Sequence, residues 1–441
     1  MFKLGWFVDG YRPQTWRGTW AGDNRHEWTG ASFWSDIARA LDRGGFDIMF
    51  IEDTSMIDDT LGGSTETALK FGMEAPKNDP MPLVPLIAQA SEHVGIVVTV
   101  STIQYHPYLA ARLATTLDHL TRGRVGLNVV TSVSHRVAQN FGMDRLYDHD
   151  ERYAMAGEWM EAVSQLWESW EPGALVLDTS EPRFADHTKV HAVNFEGKYF
   201  KTRGPLNNPP GPQRRPVIAQ AGTSGAGRDL AAAHADAMLS IAKNPDQMRE
   251  LREDMNRRLV AHGRRPEDLH IFFMTKLFLG WSDREAAERH AEADRRKSEP
   301  DSIQMALWLL SYFSGGNVDY SAYDLDAPMP TELGNGQVST MQHVVEGAAG
   351  TMTLREVLTQ PGQMQGLEFV GSPDTVAEQM NEAIAATGGQ DGFLIHGTED
   401  ELTRKSLSEV TDGLCPVLRR RGYIRDSYRH PTFRENLRDW S

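Results

Sequence analysis

The chain has 441 residues, with 45 lysines and arginines against 61 acidic residues and a formal net charge of −16. That balance repels polyanions and argues against nucleic acid or an anionic membrane as a bulk partner. Cys415 is the only cysteine, which rules out an intrachain disulfide and a cysteine-rich metal site; with no signal-peptide pattern and no apolar run of membrane-spanning length, a cytoplasmic protein is expected.

In chain order, residues 4–8 read as a short apolar strand ending in Asp9, followed by a polar loop rich in tryptophan (Trp16, Trp20, Trp28). Phe33, Ile37, Ala40 and Leu41 recur at helical spacing over 32–43, and Gly44-Gly45 stops that helix. A second strand, 46–51, delivers Glu52, Asp53 and Thr54. Residues 55–80 are loop-like and longer than an ordinary strand-to-helix connection, as functional loops are. A helix is expected over 83–93. The β-branched run 94–100 reads as a strand buried on both faces. Leu109, Leu113, Leu117 and Leu120 mark the next helix, and Val125 to Val130 the next strand, which ends in Thr131-Ser132. The acidic segment Asp148-His149-Asp150-Glu151-Arg152-Tyr153 leads into another helix.

Residues 171–212 break the alternation and read as a hairpin insertion. Strand and helix then resume at 216–221, with Gly222-Thr223-Ser224-Gly225-Ala226-Gly227 between them. Further strands are expected at 237–241, 270–280 and 392–396, and a second insertion at 297–366. Val370-Gly371-Ser372-Pro373 reads as the start of a helix, and a final helix as covering 399–410.

Eight strands alternating with helices predict an α/β fold: one (β/α)8 TIM-barrel domain over 1–441, carrying the insertions 171–212 and 297–366. A doubly wound open sheet is the alternative, but Asp9-Gly10-Tyr11-Arg12-Pro13 stands where its glycine fingerprint would be. In a barrel the residues just after the strands line one rim. Asp53, Thr99, Ser101, Thr131, Ser132, His149, Tyr153 and Ser224 would then converge. Hydroxyls with one carboxylate and one imidazole suit holding a polar cofactor better than acid–base chemistry alone. The 222–227 loop opens a helix, where free amides and the dipole favour an anion, although Ser224 equally fits an ordinary helix cap. Likewise His149 and Arg152 could meet a phosphate, or Arg152 could simply pair with Asp148, Asp150 and Glu151. His106 stands at a strand end before a proline, where a structural role is the simpler reading. No H-E-x-x-H or Cys-x-x-Cys metal pattern occurs.

More specific are LATTLDHLTRGRVGLNVVTS (113–132), NFGMD (140–144), DHDERY (148–153) and LWESW (166–170). The run KVHAVNFEGKYFKTRGPLNNPPGPQRRPVIAQAGTSGAGRDLAAAHAD (189–236), FVGSPDTVAEQM (369–380) and DGFLIHG (391–397) continue the pattern. Together they resemble the bacterial luciferase-like flavin monooxygenases, in the branch of nitrilotriacetate monooxygenase, pristinamycin synthase, dibenzothiophene sulfone monooxygenase and long-chain alkane monooxygenase. The resemblance implies a (β/α)8 barrel that takes reduced FMN as a diffusing cosubstrate from a separate NAD(P)H-dependent flavin reductase. With O2 the flavin forms a hydroperoxide that oxygenates a small organic substrate. It also implies a homodimer or higher homo-oligomer. By motif, Asp53 (in FIED), Thr99, His149, Tyr153 and Ser224 fall on the family's FMN positions. His149, Tyr153 and Ser224 would hold the phosphate and ribityl chain, with Asp53 and Thr99 nearer the ring. The chain departs from some relatives at Val133 and at Gly10-Tyr11-Arg12-Pro13-Gln14, so no catalytic group carries over. Two other functions fit the same barrel: a deazaflavin-dependent reductase or dehydrogenase, and a non-catalytic flavin-binding protein.

Overall fold

The apolar runs that form the main sheet pair side by side, all in parallel. The computed structural model describes residues 1–8, 29–348, 350–359, 366–398 and 404–439; the tryptophan-rich loop and residues 9–14 lie outside them. The strands are β1 (Lys3–Val8), β2 (Ile48–Ile51), β3 (Gly95–Ser101), β4 (Val125–Val130), the hairpin strands β5 (Leu175–Asp178) and β6 (Arg183–Ala185), the hairpin strands β7 (Phe195–Glu196) and β8 (Lys201–Thr202), then β9 (Val217–Gln220), β10 (Ala237–Ser240), β11 (His270–Leu279), β12 (Leu367–Gly371) and β13 (Gly392–Thr398). The sheet runs β10-β9-β4-β3-β2-β1-β13-β11, and a further β10–β11 pairing closes it into an eight-stranded (β/α)8 TIM barrel. The eight barrel strands are the eight expected. A ninth strand joins the sheet: β12 pairs with Thr275–Leu279, the part of β11 that runs beyond its pairing with β10. The final helix was read too short. Its described part begins at Arg404 and runs through a π-helical turn, Glu409–Leu414, to Arg420.

Two cores result from the period-two alternation of the strands. Side chains facing outward (Trp6, Met49, Ile96, Val98, Ile218, Met238) pack under the helices. Those facing inward (Ile48, Phe50, Val97, Val217, Ala219, Leu239, Phe272, Leu394) fill the barrel. Its lower end is stoppered by the helix Phe433–Arg438, whose Phe433 and Leu437 join the inner core. A Cβ on Gly95 would lie 2.4 Å from the Phe433 ring, so glycine is needed at that strand start. The hairpins of 171–212 lie on the outside, with β5 fully exposed.

Above the upper rim, two segments pack on each other. Residues 55–80 contain the helix Glu66–Phe71, and 297–366 contains the helices Pro300–Phe313, Val338–Ala348 and Leu354–Thr359. Met56, Leu61, Phe71, Met73, Trp308 and Tyr312 form the shared core. Among the described residues no helix is long and apolar enough to cross a membrane, and no group of His, Cys, Asp and Glu could hold a metal ion.

Candidate active site

A cavity of about 790 Å³ opens at the upper rim. All eight rim residues read from the sequence line it: Asp53, Thr99, Ser101, Thr131, Ser132, His149, Tyr153 and Ser224. His106 does not. It caps the helix Pro107–Leu120, accepting at Nδ1 from the Tyr108 amide at 3.3 Å.

The inward faces of the strands turn from apolar to polar as they rise. In β3, Val97 belongs to the core, while Thr99 and Ser101 face the cavity. Thr99 Oγ1 donates to the Ile51 carbonyl at 3.0 Å, so its lone pair must accept from Asn128 Nδ2, also at 3.0 Å. That network fixes the amide of Asn128 and leaves its buried Oδ1 with no partner. Gln220 Oε1, at the end of β9, is likewise buried and unpartnered. Neither residue was singled out from the sequence. The available signal was a polar side chain inside an otherwise apolar strand, at GLNVV and VIAQA.

On the β4 and β9 side, two helix N-termini face the cavity. His149 opens the helix His149–Glu168, its ring 5.0 Å from that of Tyr153 and its Nδ1 2.8 Å from Asp150 Oδ1. Ser224 caps the helix Gly225–His234, accepting from the Gly227 amide at 3.1 Å. The Tyr153 hydroxyl hydrogen-bonds with Ser224, Gln220 and Thr131, and burial raises its pKa. Gly222 packs so closely that a Cβ there would lie 2.2 Å from the Tyr153 oxygen. Arg152 is 2 % exposed. It does not pair with Asp148, Asp150 or Glu151. Its guanidinium donates to the carbonyls of Ser132, Asn335 (2.5 Å) and Gly336 (3.3 Å), while Asp150 engages His149 and Glu151 engages Lys198. Helical spacing turns Arg152 away from its exposed acidic neighbours, and this is what the sequence reading missed.

Across the cavity, burial pushes the Asp53 carboxyl up to about 6, with Lys77 pulling it down and Asp79 and Glu74 adding to the rise. Lys77 is itself clamped by Glu52 and Glu74. Tyr312 hydrogen-bonds Thr54 and stacks on Trp308 at 5.2 Å, which brings the second insertion to the cavity wall.

Two converging helix N-termini, a serine, a tyrosine and a glycine approach are an arrangement that could hold a dianionic phosphate. Beside it lie two buried acceptors, Asn128 Oδ1 and Gln220 Oε1, with no partner from the protein. These donors and acceptors fit a phosphorylated, ring-bearing cofactor such as FMN.

Comparison with known proteins agrees in kind. Residues 18–391 match the sequence family described as luciferase-like monooxygenase. Dimethyl-sulfide monooxygenase of Hyphomicrobium sulfonivorans is 37% identical over 92% of this chain and 83% of its own. Nitrilotriacetate monooxygenase component A of Aminobacter aminovorans is 31% identical over 93% and 90%. Among solved structures, a riboflavin lyase with modified FMN and its substrate riboflavin superposes with a TM-score of 0.86, at 29% identity, over 99% of this chain and 96% of that one.

Proposed function

Because the chain belongs to the luciferase-like monooxygenase family, whose members are oxidoreductases that incorporate oxygen, we propose that it is the oxygenating component of a two-component, FMN-dependent system. Reduced FMN would arrive from a separate NAD(P)H-dependent flavin reductase, with a small organic molecule as the substrate. The observation that carries this reading is the convergence of Tyr153, Ser224 and two helix N-termini on one side of a polar cavity. When bound, reduced FMN supplies the electrons that activate O2.

In this reading each part of the protein has a separate task. Ser224 and Tyr153 donate to the phosphate, with His149 and the Gly222–Gly227 amides around it. Asn128 Oδ1 and Gln220 Oε1 accept from ligand N–H or O–H groups. Asp53, with its pKa near 6, holds a proton at the cavity wall through a wider pH range than an exposed carboxyl would. The insertion that carries Trp308 and Tyr312 covers the cavity and limits water. Val137, Tyr312, Val338 and Val344 contribute apolar surface to the wall, beside polar residues such as Gln337 and Thr340.

The test is an anaerobic titration with reduced FMN, followed by O2 uptake in the presence of candidate sulfides, sulfones and alkanes. Saturable binding followed by substrate-dependent uptake is expected. A protein that leaves reduced FMN unbound is not an FMN-dependent oxygenase.

A further inference from the structure

Arg152 is buried, yet no carboxylate lies within ion-pairing distance of it among the described residues, and its Nε has no partner. A desolvated cation held only by carbonyl dipoles is costly unless an anion completes its surroundings. Its partners come from two places. The Ser132 carbonyl belongs to the end of β4, where Ser132 takes a positive φ of 63° and its Oγ meets Ser101 Oγ at 2.6 Å. The Asn335 and Gly336 carbonyls belong to the second insertion, immediately before the helix Val338–Ala348.

That junction is tightly built. Asn335 and Gly336 both donate to the Ser314 carbonyl, and a Cβ on Gly336 would lie 2.3 Å from the Phe313 oxygen. Asn335 also reaches the Tyr147 carbonyl at 3.1 Å. Beyond the junction, Gln337, Val338 and Thr340 line the cavity. On the other side, the charge of Arg152 acts on the Tyr153 hydroxyl, the floor of the phosphate seat.

We infer that Arg152 is a positioning residue that couples occupation of the phosphate seat to the seating of residues 335–348 over the cavity; this rests on the flavin reading above. A phosphate beside Tyr153 and Ser224 supplies the missing negative charge. The guanidinium is then stable in the place where it holds Asn335 and Gly336. With the seat empty the cation is stabilised less, and the segment is held less firmly. Coupling runs both ways, so seating of the segment also strengthens retention of the phosphate. A flavin with a phosphate therefore closes the site, and the same ring without one does not.

The experiment is hydrogen–deuterium exchange over residues 335–348, measured anaerobically with reduced FMN and with reduced riboflavin, both saturating. In the unmodified protein, FMN is expected to slow exchange there by about tenfold, within the usual span of coupling between sites, and riboflavin by much less. In Arg152→Met, FMN is expected to bind more weakly and, even at saturation, to protect the segment no more than riboflavin does. Arg152→Lys, which keeps the charge but not the two-sided reach, should restore part of the protection. Equal protection by the two flavins, or unchanged FMN protection in Arg152→Met, overturns the coupling. If Arg152→Met does not fold, the two flavins on the unmodified protein decide alone. If neither flavin binds in a fluorescence titration, the cofactor reading fails separately. Inorganic phosphate then decides for Arg152: protection in the unmodified protein supports the coupling, and its absence overturns it.

Discussion

The two ends of the barrel treat buried charge in opposite ways. At the lower end three aspartates stand just before strands: Asp47 before β2, Asp236 before β10 and Asp391 before β13. Each accepts an amide from another strand or its lead-in, from Leu4 at 2.9 Å, Ile218 at 2.9 Å and Ile271 at 2.7 Å. Each also meets basic groups: Lys3 and Arg425 at Asp47, Arg434 at Asp236, Arg252 at Asp391. At the upper end Arg152 lacks a carboxylate, burial raises the Asp53 carboxyl to about 6 and two amide oxygens have no donor from the protein. The lower end completes its own pairs and supports the barrel. The upper end pairs Lys77 with Glu52 and Glu74 but leaves Arg152 and two amide oxygens without such partners.

Attacking the lower end should have the largest effect. Asp391→Asn strands the Arg252 guanidinium and should cost about 3–5 kcal/mol of stability, read from urea unfolding. Flavin affinity of the remaining folded protein should be unchanged.

At the upper end, removing a charge should do the reverse. The folded pKa of Asp53 lies above the ordinary value of 3.8. Its protonated form therefore favours folding, and that advantage is lost as the pH rises from about 4 through 6. Asp53→Asn should accordingly match the parent at pH 4 and exceed it above pH 6, by on the order of 1–3 kcal/mol. Unfolding curves at the two pH values check the sign, and a variant uniformly less stable at both would break the contrast.

Ser224→Ala and His149→Ala should each weaken FMN binding by about 1–3 kcal/mol and leave riboflavin binding nearly unchanged. Equal losses for both flavins would place the phosphate elsewhere. The smallest change is expected from Asn128→Leu, which removes a buried acceptor that has no partner from the protein. Stability should rise by about 1 kcal/mol while flavin affinity falls.

Much of this division could be read along the chain, because it follows the period of a strand. Val97, Thr99 and Ser101 show where β3 leaves the core, and the hydroxyls of Thr131 and Ser132 mark the end of β4 in the same way. What was not legible depends on partners distant in sequence. β12 pairs where β11 runs past the end of β10, which its own apolar pattern does not reveal. Arg152 sits among acidic neighbours, so local reasoning pairs it with them, whereas its partners are about 20 and 183 positions away. Asn128 looks like a flaw in an apolar strand until Thr99 is seen to orient its amide.

The stopper at the lower end also bears on how the chain is made. Lys3 Nζ donates to the Asn436 carbonyl at 3.1 Å, a contact spanning 433 positions, and Phe433 fills the space left at Gly95 and Gly126. During synthesis the first strand therefore emerges long before either of its later neighbours, β13 and the stopper, exists. Until then β1 has an unpaired edge, and the hollow of the sheet is open to water. Closure of the barrel therefore waits for the last strand and the stopper, and until both are present the growing chain exposes apolar surface of the kind that aggregates.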